Sequence, residues 1–302
     1  MLDIRQIDHI SQIVSDPEPV LALYQELFGF RLSGSWDEER EGYRGLNLSV
    51  PGRSGVGWEI LSPTRPDSFV RRFLDSPHGP GLHHVTMQVP SVVDAARELQ
   101  VLGIEPWGGP ENEGSDWDEV FIHPRDGHGF LFQITGVHAE PWHNPATPIR
   151  VAGQTSAHTL GIAAINHLSH AHPRREELAA WYELVFGMMG IYAADGTDGP
   201  FATAVLESPT QQMRWEVLQP FGADSFVQRF LDVRGPAMHH VAFEVHDWQQ
   251  ALDACAYHDI PVFGAREGMT DGARWHEAFI HPRFTGGVLV QFFWEERAGI
   301  WI

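Results

Sequence analysis

The stretch Gly79-Pro80-Gly81-Leu82-His83-His84-Val85-Thr86-Met87-Gln88-Val89 returns later in the chain as Gly235-Pro236-Ala237-Met238-His239-His240-Val241-Ala242-Phe243-Glu244-Val245. Both copies alternate apolar and polar residues at the period of a half-buried strand. The offset between them is 156 residues, and other matches cluster around it. Asp8-His9-Ile10 pairs with Asn166-His167-Leu168, and Tyr24 with Leu27-Phe28-Gly29 pairs with Tyr182 and Val185-Phe186-Gly187. Trp58-Glu59-Ile60 returns as Trp215-Glu216-Val217, Asp67-Ser68-Phe69-Val70 as Asp224-Ser225-Phe226-Val227, and Phe121-Ile122-His123-Pro124-Arg125 as Phe279-Ile280-His281-Pro282-Arg283. Gln133 pairs with Gln291. A period this long marks a duplicated domain, not a solenoid.

Each half reads as strand, helix and three strands, done twice. Val20, Leu23, Tyr24, Leu27 and Phe28 fall at helical spacing with Gly29 as the stop, and Leu178, Trp181, Tyr182, Val185 and Phe186 repeat the pattern before Gly187. Strands are expected at Gly57 to Ser62, Arg214 to Leu218, Val120 to Ile122 and Phe130 to Thr135. A helix at Asp67 to Asp75 precedes the histidine-pair strand, and another follows it with Ser91 or Asp247 as N-cap. The resulting domains are 1–136 and 162–302, joined by a Pro-, Gly- and Ala-rich linker over 137–161.

Alternation assigns faces. His84, Thr86 and Gln88 oppose Val85, Met87 and Val89, and Glu59 opposes Trp58 and Ile60. His83 and His239 are expected to turn toward the structural side, and His123 and His281 to serve their turns. Four strand positions in each half therefore bring a ligand-type atom to one face: His9, Glu59, His84 and Gln133, then His167, Glu216, His240 and Gln291. Two imidazoles, a carboxylate and an amide oxygen make a shell for divalent Fe, Mn, Co, Ni or Zn, with room for a small molecule that chelates through its own oxygens.

Composition excludes other chemistry. The net charge is −20, and all 20 basic residues are arginine. Without lysine there is no Schiff-base or phosphate-loop chemistry, and an acidic surface without basic runs is a poor match for nucleic acid or anionic membrane. No stretch reads as a signal peptide or a membrane span, so the expected location is the cytoplasm. Cys255, the single cysteine, sits in a helical pattern as a small hydrophobe.

The sequence resembles the vicinal oxygen chelate superfamily of glyoxalases, bleomycin resistance proteins and extradiol dioxygenases, and within it each half is most similar to the methylmalonyl-CoA epimerases. The carriers are Asp8-His9-Ile10, Trp58-Glu59-Ile60-Leu61-Ser62-Pro63, Leu82-His83-His84-Val85, His123-Pro124-Arg125, and their second-half copies from Trp215-Glu216-Val217 to His281-Pro282-Arg283-Phe284-Thr285-Gly286-Gly287. The resemblance implies an α+β fold of two glyoxalase-like domains, four βαβββ modules in two cupped mixed sheets. It carries His9, Glu59 and His84, with His167, Glu216 and His240, over as metal ligands. The departure is on the last strand, where Gln133 and Gln291 stand in place of the family's usual glutamate. A glutamine can offer an oxygen but cannot take a proton. The proton would then fall to a loop carboxylate, Glu41 or Asp198, with Glu39 and Asp195 nearby. A CoA ester is not expected, since no lysine is present for its phosphates. The leading expectation is a metal-dependent isomerase or epimerase working beside a chelated carbonyl. A non-haem iron dioxygenase is the first alternative, and a non-catalytic small-molecule binding or resistance protein the second. The duplication makes a pseudo-dimeric monomer, and a further homodimer is compatible with it.

Overall fold

The computed structural model describes residues 1–108, 119–137, 158–196, 199–222 and 224–299. Most of the expected linker over 137–161, and Asp198, lie outside the described residues. The first half runs β1 (Gln6–Ile13), α1 (Pro17–Glu26), β2 (Arg31–Glu38), β3 (Tyr43–Ser49), β4 (Gly57–Pro63), α2 (Phe69–Leu74), β5 (Gly81–Val89), α3 (Val92–Val101), β6 (Glu119–Ile122) and β7 (Leu131–Gly136). The second runs β8 (Ile162–Ala171), α4 (Arg175–Phe186), β9 (Met189–Asp195), β10 (Phe201–Glu207), β11 (Arg214–Pro220), α5 (Phe226–Arg234), β12 (Ala237–Val245), α6 (Trp248–Tyr257), β13 (Val262–Thr270), β14 (Ala273–Ile280) and β15 (Val290–Glu295). Three of the four modules show helix and three strands after the leading strand. Among the described residues the remaining module has only β6 and β7 after α3, with Trp107 bridged to Phe121.

Local chemistry accounts for the ends of the helices. Asp16, Ser68, Ser91 and Asp247 each accept a hydrogen bond from a backbone N–H of the first turn. Gly187 closes α4 in the left-handed region at φ 68°, which glycine enters without a Cβ penalty.

The strands form two mixed sheets, a fold of the α+β class. Strand order is β2-β3-β4-β1-β5-β7-β6 in one and β13-β14-β15-β12-β8-β11-β10-β9 in the other. The pairs β5 with β7 and β12 with β15 are parallel, and the other pairs with a recorded register are antiparallel. Neighbouring places in the first sheet thus go to β4, β1, β5 and β7, the strands of Glu59, His9, His84 and Gln133. The second sheet likewise sets β15, β12, β8 and β11 side by side, carrying Gln291, His240, His167 and Glu216.

By packing, the chain parts into two compact units. One gathers Met1–Ser11, Leu168–His239 and the described part of His83–Trp142; the other gathers Gln12–Leu82, His240–Ile302 and His143–His167, again over described residues. Each unit mixes the two sequence halves. In the first, Phe132 on β7 packs on Trp181, Tyr182 and Phe186 of α4, with ring centroids 5.0 to 6.1 Å apart. In the second, Phe243 on β12 meets Phe28, Phe30 and Trp58. A helix of one half therefore covers a strand of the other, and each buried ring of this size is worth about 3–5 kcal/mol against truncation to alanine.

Two equivalent buried polar knots hold the helices α1 and α4. Gln12 donates from Nε2 to the carbonyls of Thr285 and Gly286, and its Oε1 accepts from Tyr24 Oη at 2.8 Å and Trp58 Nε1 at 3.1 Å. At the matching position stands His170, whose Nε2–H donates to the His128 carbonyl at 3.0 Å while Nδ1 accepts from Tyr182 Oη at 2.8 Å. An imidazole has one acceptor where the amide oxygen has two, and Trp215 Nε1 is left buried with no good hydrogen-bond acceptor among the described residues, the Tyr182 hydroxyl being its nearest polar neighbour. Burial pushes the His170 pKa down from 6.5 to about 3. Above pH 6.5 both folded and unfolded chains hold this group neutral. As pH falls toward 3 only the unfolded chain takes the proton, so stability is lost over that window at about 1.4 kcal/mol per pH unit. His170→Gln is expected to stabilise the fold by about 1 kcal/mol at pH 7.5, by satisfying Trp215, and to flatten the acid limb. Urea unfolding at pH 7.5, 6 and 5 measures both effects; parallel pH profiles for the variant and the parent chain would rule the account out.

Candidate metal centres

His9 is buried on β1, and its Nδ1 lies 2.7 Å from the buried carboxylate of Asp8. A carboxylate only accepts, so Nδ1 carries the proton and Nε2 is the nitrogen turned to the site. The other Asp8 oxygen accepts from Gln88 Nε2 at 2.6 Å, which completes a buried second layer behind the ligand. His84 stands beside His9 with ring centroids 5.6 Å apart. Burial, then the neighbouring rings of His83 and His9, hold His84 well below the ordinary histidine pKa, so it presents the neutral imidazole that metals require.

Strand alternation placed His83 away from its neighbour, and the structure corrects that: the two Nδ1 atoms are 2.8 Å apart, one donating to the other. His239 keeps the expected side and packs on Phe226 and Phe230 of α5. His123 and His281 each accept, through Nδ1, a backbone N–H from two residues on, Arg125 and Arg283, and so fasten their turns.

Thr86 faces Gln133 across the parallel pair β5 and β7 and donates to its Oε1 at 2.5 Å. The same hydroxyl lies 2.9 Å from His9 Nε2. One hydroxyl hydrogen cannot serve two acceptors, so one of them is left for another partner. In the second half Ala242 takes the place of Thr86 opposite Gln291, and Gln291 Oε1 is buried with no hydrogen-bond partner. An orphaned oxygen on this face is what a metal ion would satisfy.

The amides are oriented by carboxylates that the sequence reading missed. Gln133 Nε2 donates to Glu119 on β6, and Gln291 Nε2 donates to Glu277 on β14 at 2.9 Å. Because Glu119 and Glu277 accept, each amide must turn its nitrogen outward and its oxygen inward. The available signal was their common offset, two residues ahead of the repeated Phe-Ile-His-Pro-Arg. Glu277 is fully buried and also receives Arg266 Nε at 2.5 Å.

The second centre differs behind its first histidine. His167 Nδ1 is 2.9 Å from Asn166 Oδ1, a neutral acceptor in place of a carboxylate. His167 Nε2 and His240 Nε2 lie 3.3 Å apart, the separation of two nitrogens sharing one tetrahedral ion at about 2.0–2.1 Å. Glu216 accepts from Thr203 Oγ1 at 3.1 Å, and Glu59 is buried opposite Asn47 in the β3–β4 register. His9, Glu59 and His84 offer ligand atoms all within 4.8 Å of one another, and so do His167, Glu216 and His240. The donors fit a divalent transition-metal ion in type, in burial and in the orphaned oxygen.

The loop carboxylates are elsewhere. Glu39 and Glu41 are exposed in the β2–β3 turn. Glu41 is six residues before Asn47, which pairs with Glu59, a span of about 20 Å along extended chain. The structure does not bring Glu41 to the His9–Glu59–His84 group. Asp195 ends β9 in an ion pair with Arg175 at 2.8 Å.

The comparisons with known proteins agree with this geometry. The family model for the Glyoxalase/Bleomycin resistance protein/Dioxygenase superfamily matches residues 8–121 and again 166–279. The chain is 26% identical over 136 residues to an ethylmalonyl-CoA/methylmalonyl-CoA epimerase of Cereibacter sphaeroides, an alignment covering 44% of this chain and 99% of that protein. It is 24% identical over 130 residues to the mitochondrial methylmalonyl-CoA epimerase of Homo sapiens, covering 43% of this chain and 72% of that one. In fold it is similar to a mutant of 4-hydroxymandelate synthase from Streptomyces coelicolor, with a TM-score of 0.73 at 15% identity over 98% of this chain and 94% of that one. With two matched regions that together exceed half its length, the chain belongs to the glyoxalase/bleomycin resistance protein/dioxygenase superfamily.

Proposed function

We propose that this chain is a divalent-metal-dependent isomerase or epimerase acting on a small molecule that chelates the ion through oxygens, and that both sequence halves, 1–136 and 162–302 joined by 137–161, serve as metal-binding domains. The observation that carries the reading is the repeated set of two buried imidazoles, a glutamate and an inward-turned glutamine oxygen on four adjacent strands. Similarity to epimerases along 72% to 99% of their length supports the same chemistry.

A bound ion would supply Lewis acidity, easing loss of a proton from the carbon beside a chelated carbonyl. His9, Glu59, His84 and Gln133, or His167, Glu216, His240 and Gln291, would hold it. Asp8 keeps His9 in the ligating tautomer, and the buried strands exclude water from the reacting face. We assign the proton-accepting carboxylate to Glu119 in the first half in preference to Glu41, because Glu119 touches the Gln133 amide.

The test is anaerobic incubation of the metal-loaded chain in D2O with a panel of 2-substituted acyl and 2-hydroxycarbonyl compounds, read by mass spectrometry, beside an oxygen electrode. Deuterium at the carbon next to the carbonyl, without oxygen uptake, is the expected result. Two histidines and one carboxylate are also the ligand type of non-haem iron oxygenases. Stoichiometric oxygen consumption with no deuterium exchange would establish that second reading and reject the first.

A further inference from the structure

We infer that His128 of the first sequence half, with His172 and Glu177 of the second, forms a separate transition-metal site, present in one of the two compact units. Their ligand atoms all lie within 4.8 Å of one another. His128 Nδ1 and His172 Nε2 are 3.1 Å apart, close to the span of about 3.0–3.3 Å for two nitrogens on one ion with bonds near 2.0–2.1 Å. The far nitrogen of His172 is 2.8 Å from the Arg174 carbonyl and 3.1 Å from the Arg174 N–H. In the first arrangement Nδ1–H donates to that carbonyl and Nε2 is left bare, the second-layer contact that fixes a ligating histidine. His128 lies in the turn before β7, with the Trp181 ring 5.2 Å away, His172 follows β8, and Glu177 is on the first turn of α4. All three belong to the same compact unit.

The duplication supplies the control. The positions equivalent to His128, His172 and Glu177 are Gly286, Val14 and Pro19. His128 has φ 53° and Gly286 has φ 65°, a left-handed conformation that suits glycine and strains histidine. A Cβ on Gly286 would come within 2.8 Å of the Val14 and Val20 side chains and of Gln12 Nε2, so the equivalent place is filled. The fold thus closes this corner without an imidazole or a carboxylate, and the unit with the histidines holds one of them in a strained backbone. Strain kept where the copy avoids it points to use. Two imidazoles and a carboxylate select Zn2+, Ni2+ or Cu2+ over Mg2+ and Ca2+. Glu177 is paired with Arg174 through two hydrogen bonds, so that arginine competes with the ion for the carboxylate.

The test is Zn2+ binding to the full chain, by equilibrium dialysis and calorimetry. In the His84→Ala/His240→Ala chain, which weakens the two duplicated centres, one equivalent is expected to remain, and His128→Gly or His172→Val is expected to weaken it on the order of 100-fold. Both variants install the residue that the other half tolerates, and circular dichroism checks their folding. Arg174→Gln is expected to tighten the site several-fold, an effect that a purely structural histidine pair would not produce. An unchanged Zn2+ count and affinity in whichever histidine variant folds would overturn the site, and an unchanged affinity in Arg174→Gln would overturn the three-residue set. Neither result depends on the reaction proposed above, which is read by isotope exchange.

Discussion

Asp8→Asn is expected to weaken metal binding in the first half about 10- to 100-fold, bringing it to the level of the second. The native chain should accordingly show two affinities, the tighter one belonging to His9, Glu59, His84 and Gln133. Asp8 receives His9 Nδ1–H at 2.7 Å inside the protein, and a buried anion behind an imidazole both fixes its tautomer and raises the basicity of Nε2. Asn166, 2.9 Å behind His167, carries no charge, and its amide can turn to offer a donor instead. The exchange extends one layer outward. Gln88 donates to Asp8, whereas the residue at the Gln88 position in the second half is Glu244, held by Arg53. Asn166→Asp alone would therefore gain little, and Asn166→Asp with Glu244→Gln should raise second-half affinity by about tenfold or more. Titration with Co2+, following its visible bands, resolves the two sites. A single unchanged pair of affinities in Asp8→Asn would show that the carboxylate does not act through His9.

Much of this arrangement is legible in the sequence, for a physical reason. Strand alternation is local, so placing Glu59 opposite Trp58, and His84 opposite Val85, needs only neighbouring residues; the duplication then repeats each assignment. The caps at Ser91 and Asp247 are local in the same sense. Register across strands is not local. Glu119 pairs in register with Thr135 while its side chain reaches Gln133, and no pattern within β6 announces that contact. The family resemblance suggested Glu41 as a base, but the hairpin register sets Glu41 far along the sheet from Glu59. Helical spacing likewise gave α1 and its apolar face without saying that Phe28, just past its end, meets Phe243 from the other half. His83 shows the reverse limit: the pleat turns it away from His84, yet the first residues of β5 let the two rings meet.

Glu119→Gln is expected to cut first-half metal affinity by tenfold or more and to abolish isotope exchange there, and Glu119→Gln with Gln133→Glu to restore binding. A carboxylate beside an amide settles which way the amide faces, because it accepts hydrogen bonds and never donates them. With Glu119 in place, Gln133 Nε2 points to it and Oε1 points to Thr86 and the site. Two facing amides lose that instruction, and the Gln133 orientation that turns –NH2 toward the ion repels it. Gln133→Glu alone sets two carboxylates in contact, so one must keep a proton, and metal binding should become steeper with pH. The exchanged pair removes the conflict: the amide now on β6 would donate to the carboxylate now on β7, whose second oxygen faces the ion, and the net charge of the chain is unchanged. It also sets a glutamate on the last strand, so isotope exchange is expected to return with the metal. In the second half Glu277 is clamped by Arg266 as well, and Glu277→Gln should cost fold stability along with affinity, which separates the two roles. Co2+ affinity and thermal melting, measured on the single variants and on the exchanged pair, decide the matter. If the exchanged pair binds no better than Glu119→Gln, amide orientation is not what Glu119 supplies.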